Sequence, residues 1–251
     1  MWDWDGELWR AADLERAGAG AAFSSRLGGC SRGAFASLNL GAEVGDRPED
    51  VDANRARFAA RAGFAPDSVA PVRQVHGGAV LSVSGPGAAG TADGLCTDAP
   101  GVTLIIAVAD CAAVYLVDPE RGAIGLCHAG WRGTVAAVAA RCVATMAARF
   151  GCRPENLRAA VSPCIGACCY EVDGPVIAAL TGQPGCLRPT DPAHARLDIA
   201  EANRRQLLGA GLDPARIAVA GICTACHPPT LFSHRRDAGR TGRMHAALWL
   251  R

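Results

Sequence analysis

Short apolar runs of strand-forming residues recur along almost the whole chain, and their spacing constrains the fold more than any other feature. Candidate strands cover residues 21–25, 69–76, 79–84, 102–109, 113–117, 123–127, 158–161, 216–220 and 244–250. Most lie close enough in sequence for hairpins and meanders. Helices are predicted over 51–62, 134–150, 174–180 and 199–208. In the second of these, Val135, Val138, Cys142 and Met146 share a face, with Thr134 as N-cap and Gly151 just beyond the end. Consecutive strands with separate helices predict an α+β fold, not a doubly wound parallel sheet. No long period recurs, and Gly-Pro-Gly-Ala-Ala-Gly at 85–90 is only a turn, so one compact domain over 1–251, a mixed β-sheet with flanking helices, is expected.

Composition then removes whole classes of chemistry. All 25 basic side chains among the 251 residues are arginine. A Walker P-loop, a pyridoxal Schiff base and a Ser-x-x-Lys nucleophile all require lysine and are excluded. A net charge of +1 supplies no overall field for nucleic acid or an anionic membrane, so neither partner is expected. The longest apolar stretch, 102–109, is far shorter than the roughly 18–20 residues that span a bilayer. The first residues, MWDWDGELWR, lack the basic and apolar regions of a secretory signal. With twelve cysteines at about 5% of the chain, below the density of disulfide scaffolds, reduced thiols and a cytoplasmic location are expected.

Three potential ligands stand at strand ends. His76 lies in RQVHGG, Cys111 follows the buried run VTLIIAVAD, and His128 lies in GLCHAGWRG. If they converge, two imidazoles and a thiolate leave one tetrahedral position open, as in a catalytic zinc site. Separations of 35 and 17 residues match no short zinc signature, and inert burial is the competing reading. Copper is a second candidate metal, but the chain has no His-x-His pair for a trinuclear oxidase cluster and only three methionines. Cys111 and His128 also suit a nucleophile and its base, with Asp110 as orienting carboxylate.

Glycine-rich turns carry the arginines. The segment from His128 to Thr134 leads from a strand into the strongest helix, so free amides and the Arg132 fork offer an anion site. Arg26 sits in SRLGG, while Arg236 and Arg243 belong to SHRRDAGRTGR, where four arginines fall within nine residues. A solvated loop is the alternative for each. Cys223-Thr-Ala-Cys226-His227 has the haem-attachment spacing, which would require export. Cys164, Cys168 and Cys169 with Cys152 suggest a structural zinc, but the Cys-x-x-Cys spacing is missing and core packing is expected.

RQVHG at 73–77, ADGLCTD at 92–98, VADC at 108–111, GLCHAGWRGT at 125–134, PCIGACCYEV at 163–172 and FSHRRDAGRTGR at 232–243 together resemble the YfiH-like laccase-domain family. Its members were first named multicopper polyphenol oxidases and are now described as purine nucleoside phosphorylases. The resemblance runs from about Phe23 to Trp249. It implies a compact α+β domain with His76, Cys111 and His128 as catalytic zinc ligands, and with Arg26, Asn39, Arg132, Arg236 and Arg243 lining a nucleoside and phosphate cleft. It further implies phosphorolysis of adenosine, inosine, guanosine and methylthioadenosine, with adenosine deamination alongside; the sequence leaves the oligomeric state open, a monomer being compatible with it. Alternatives are a cysteine-dependent amidase acting on peptidoglycan precursors and a copper polyphenol oxidase. The chain departs from the family pattern at His234, where an aromatic residue is usual, and at the extra Ala238, which affects the conformation of that loop.

Overall fold

In the computed structural model, which describes residues 1–182 and 185–251, the apolar runs pair into two six-stranded sheets. The first has the order β1 (Trp2–Trp4), β2 (Leu8–Ala11), β3 (Ala19–Ser24), β15 (Met244–Leu250), β7 (Thr103–Val108) and β4 (Val69–Pro71). The second has the order β14 (Ile217–Val219), β10 (Arg158–Val161), β8 (Ala112–Asp118), β9 (Ala123–Ala129), β6 (Gly94–Thr97) and β5 (Val80–Ser82). A small third sheet joins β11 (Glu171–Val172), β13 (Ala195–Leu197) and β12 (Leu187–Pro189). Pairings are antiparallel except β4 with β7, β5 with β6 and β10 with β14, so the sheets are mixed. The chain is a single α+β domain.

Period-two alternation explains the layering. Along β8 and β9, Tyr115, Val117, Ile124 and Leu126 join Phe23, Leu104, Ile106 and Leu248 of the first sheet in one buried cluster. Val114, Leu116 and Cys127 point the other way and pack with Val138, Cys142, Met146 and Leu207. These last four belong to α4 (Val138–Phe150) and α6 (Ile199–Gly209). The opposite face of the first sheet is covered by α2 (Pro48–Ala62), whose Phe58 meets Leu8, Ile105 and Ala247. Two shorter helices, α1 (Ala12–Glu15) and α5 (Gly174–Leu180), complete the flanks together with α3 (Trp131–Val135). Fully buried Tyr115 reaches across from the second sheet and donates its hydroxyl to the Ala22 carbonyl at 2.8 Å.

Some expectations are corrected. The helix predicted over 134–150 is two helices, because Ala137 takes a left-handed conformation (φ 56°, ψ 40°) between α3 and α4. Gln206 of α6 captures the Thr134 carbonyl at 2.6 Å and Arg141 takes that of Ala136 at 2.8 Å, so carbonyls that would continue the helix are already bonded. Thr134 therefore lies inside α3 and caps nothing. The strand predicted over 69–76 pairs with β7 only to Pro71, which has no N–H for the ladder, and beyond it Arg73 makes one isolated bridge, to Thr91. The hairpin of β1 and β2, the strand β6 and the third sheet were not anticipated. No helix among the described residues is long and apolar enough to cross a membrane.

Candidate metal centre and adjoining cavities

Three chain segments deliver His76, Cys111 and His128 to one place. After β7 the chain passes to the other sheet through Asp110, held at φ 83°, and Cys111 follows immediately. The Asp110 carboxylate accepts the Thr224 hydroxyl at 2.5 Å and the Arg235 amide at 2.7 Å, which offsets that backbone strain. His128 lies near the end of β9. The His76 loop has no ladder, and side chains replace it. Gln74 donates to the Ala107 carbonyl and accepts from the Ala107 amide, both at 2.8 Å, as a neighbouring strand would.

Asp93 completes the loop. Its two oxygens accept the successive amides of Val75 at 3.1 Å, His76 at 2.9 Å and Gly77 at 2.6 Å, while His128 Nδ1 lies 2.8 Å from Oδ1. The two imidazole rings meet edge to face with centroids 4.7 Å apart. One ligand atom from each of His76, Cys111 and His128 lies within 4.8 Å of the others. Gly130 is required here, since a Cβ at that position would stand 2.8 Å from Cys111 Sγ.

The electrostatics suit a cation. Burial works to raise the Cys111 thiol, but the charge of His128 and hydrogen bonds from His128 and His76 outweigh it and bring the thiol down to about 6. Burial works to lower His128, and the Cys111 thiolate and the Asp93 hydrogen bond bring it instead up to about 9. Asp93, opposed by burial, is held below the usual carboxylate range by His128 and by the Gly77 and Val75 amides. With Nδ1 engaged by Asp93, His128 presents Nε2, the carboxylate–histidine arrangement that orients metal ligands. One thiolate and two imidazoles fit zinc and leave its fourth position open. The set can hold a metal.

Two cavities meet at these residues. The larger, about 660 Å³, is walled by Phe58, Val69, Ile105, Arg243 and His245 among others. The smaller, about 240 Å³, is lined by Trp131, Arg132, Ile165, Tyr170 and Arg235. His76, Ala109, Cys111 and His234 border both. Arg132 stacks over the Trp131 ring at 4.2 Å, and Arg235 lies over Tyr170 at 5.0 Å.

The other three polar residues singled out in sequence line neither cavity. Arg26 donates to the carbonyls of Ala36 at 2.8 Å and Pro228 at 3.1 Å and covers the Phe232 ring. Arg236 pairs with Asp237 and bonds the carbonyls of Thr224 and Leu231. Asn39, fully buried, accepts the Arg243 amide at 2.9 Å and so positions Arg243 rather than facing the cavity itself. Ala238 adopts φ 48°, and the loop around it is closed by Asp237, which also accepts from Thr241. Asp93, Gln74, Tyr170 and Arg235 are site components that sequence reasoning did not single out. The signal for Asp93 was a carboxylate entering a buried strand in ADGLCTD.

The sequence profile of the family described as multi-copper polyphenol oxidoreductase laccase matches residues 20–251. The chain belongs to this family. Among its laccase-domain relatives is a protein named purine nucleoside phosphorylase YlmD of Geobacillus stearothermophilus, 42% identical over 245 residues, covering 92% of this chain and 89% of the relative. A Deinococcus radiodurans protein named purine nucleoside phosphorylase is 44% identical over 233 residues, covering 91% and 88%. The crystal structure of the Geobacillus YlmD superposes with a TM-score of 0.95 at 40% identity, over 99% of this chain and 98% of that one. This laccase-domain member thus shares its fold along nearly its whole length.

Proposed function

We propose that this protein is a zinc-dependent purine nucleoside phosphorylase. It would cleave adenosine, inosine, guanosine or methylthioadenosine with phosphate to the free base and the sugar 1-phosphate, with adenosine deamination as a side activity. The carrying observation is that His76 and Cys111 stand on the border between a large apolar-walled cavity and a small one holding Arg132, with His128 beside them on the larger cavity's side. The names of the relatives support the same reaction for those proteins. Residues 1–251 would form one such catalytic domain, and a cysteine content below that of disulfide scaffolds accords with the cytoplasm.

In this reading the nucleoside takes the larger cavity and phosphate the smaller. Arg132, pre-oriented on Trp131, offers its fork to phosphate at the start of α3, where Gly130 provides no side-chain cap. Arg243 reaches the nucleoside, and burial with the nearby Arg55 charge pushes His245 down to about 3, so a neutral imidazole sits beside Phe58 in the base-binding wall. Phosphate oxygen attacks the anomeric carbon as the bond to the purine nitrogen breaks, and His234, bordering both cavities, passes a proton to the departing base. Zinc held by His76, Cys111 and His128 would supply Lewis acidity at this junction. Arg26, Asn39 and Arg236 hold the loops that carry these groups.

Hypoxanthine release from inosine, measured with and without phosphate, tests the reading. Equal release in both sinks it. A second reading is favoured by the low Cys111 value: a thiolate paired with His128 is a ready nucleophile, as in an amidase acting on peptidoglycan precursors. Chelation separates them, since it abolishes phosphorolysis and spares an amidase. Copper-dependent polyphenol oxidation lacks the His-x-His pairs it needs.

A further inference from the structure

Beside the smaller cavity, two segments distant in sequence run together. Cys164 and Cys223 form a parallel bridge, with the Cys164 amide donating to Ile222 at 3.1 Å and the Thr224 amide to Cys164 at 3.0 Å. This register gathers four thiols. The sulfurs of Cys168, Cys169, Cys223 and Cys226 all lie within 4.8 Å of one another, with Cys169 to Cys226 at 3.4 Å and Cys168 to Cys226 at 3.6 Å. Four thiolates around zinc, each at about 2.3 Å, stand roughly 3.8 Å apart along the edges of the tetrahedron. A disulfide would need about 2.05 Å.

The backbone is shaped for these sulfurs. The Gly166 amide donates to Cys223 Sγ at 3.3 Å, the kind of support that metal-bound thiolates receive. A Cβ at Gly166 would stand 3.3 Å from Cys168 Sγ and from Cys223 Cβ, so glycine leaves the space the cluster occupies. Cys168 and Cys226 are exposed and give a metal a path in. Cys152 and Cys164, by contrast, are buried in the helix-side core and point to no metal.

We propose that Cys168, Cys169, Cys223 and Cys226 bind a second, structural zinc ion as four thiolates. The thiols release their protons to solvent as the four Zn–S bonds form, and no electron moves. The closed site clamps the loop bearing Ile165 and Tyr170 to the one bearing Thr224. Both loops touch Asp110: the Ile165 amide donates to its carbonyl at 2.8 Å and the Thr224 hydroxyl to its carboxylate. The zinc therefore braces the wall of the smaller cavity and the turn leading to Cys111, and it requires nothing of the reaction proposed above.

Zinc is counted by plasma mass spectrometry on protein purified under reducing conditions. Two equivalents per chain are expected in the wild type, one in a His76→Ala, Cys111→Ala, His128→Ala variant, and one in a Cys169→Ser, Cys226→Ser variant. X-ray absorption at the zinc edge of the first variant should report four sulfurs at about 2.3 Å. Should that variant be insoluble, the wild type decides, because one site with one sulfur and one with four average to about 2.5 sulfurs per zinc. A mean near one, a first variant without zinc, iron in place of zinc, or an intact mass showing a disulfide among the four with no metal would each overturn the proposal.

Discussion

Asp93 Oδ1 lies 2.8 Å from His128 Nδ1 and accepts the His76 amide at 2.9 Å, so one carboxylate oxygen sets the ring of one histidine and the backbone of the other. Replacing Asp93 by Asn keeps the size but allows the amide group to present a donor to Nδ1. Metal affinity is expected to fall about 10- to 100-fold, the usual effect of losing such a partner. Zinc competition against a chelator measures this, with circular dichroism to verify the fold.

Cys111 should be reactive in acid when the metal is removed. Its thiol loses the proton as pH rises through about 6, well below the ordinary range near ~8.5. Iodoacetamide labelling of Cys111 in stripped protein is therefore expected to reach half its maximal rate near pH 6. His128→Ala removes the opposing charge and its hydrogen bond and should move the midpoint upward. Labelling that begins only above pH 8 in the stripped wild type contradicts the ion pair.

Arg132 and Arg26 separate two roles of arginine. Arg132→Ala is expected to raise the KM for phosphate about tenfold, or ~1.4 kcal/mol, with a normal melting temperature. Lysine at 132 should restore little, because the planar fork and its stacking on Trp131 are lost. Arg26→Ala should do the reverse, lowering the Tm by roughly 2–4 °C per ~1 kcal/mol and leaving the phosphate KM unchanged. Phosphate titrations and calorimetry on both variants test the contrast.

Tyr115→Phe removes the hydroxyl that bridges the two large sheets. A loss of about 1 kcal/mol is expected in urea unfolding, with an unchanged m-value. No measurable loss would mean that the Ala22 carbonyl is satisfied without it.

The strands that bury both faces were legible: β7, β8, β9 and β15 read as continuous apolar runs because neither side meets water. The hairpin of β1 and β2 carried a cue in Asp5-Gly6, with Gly6 at φ 100°, but Trp, Asp and Arg alternate there without an apolar run. The break between α3 and α4 had no local cue. Alanine favours helix, and the group that stops it, Gln206, is remote in sequence. His76, Cys111 and His128 could be named because each residue type is a potential ligand at a strand end. Asp93 and Gln74 could not, since their roles depend on backbone groups that only the folded chain brings within reach. The four thiols were hidden for the same reason, split between a Cys-Cys pair and a distant Cys-x-x-Cys.

The place of β15 bears on how the protein comes into being. It is last in chain order yet lies inside its sheet, bonded to β3 on one side and β7 on the other. During synthesis β3 and β7 emerge long before the strand that joins them, and the nascent chain must wait with an unfilled slot between two apolar edges. Arg243 and His245 arrive with that final strand. The wall of the larger cavity thus closes only once β15 has left the ribosome, after every other strand of the two large sheets.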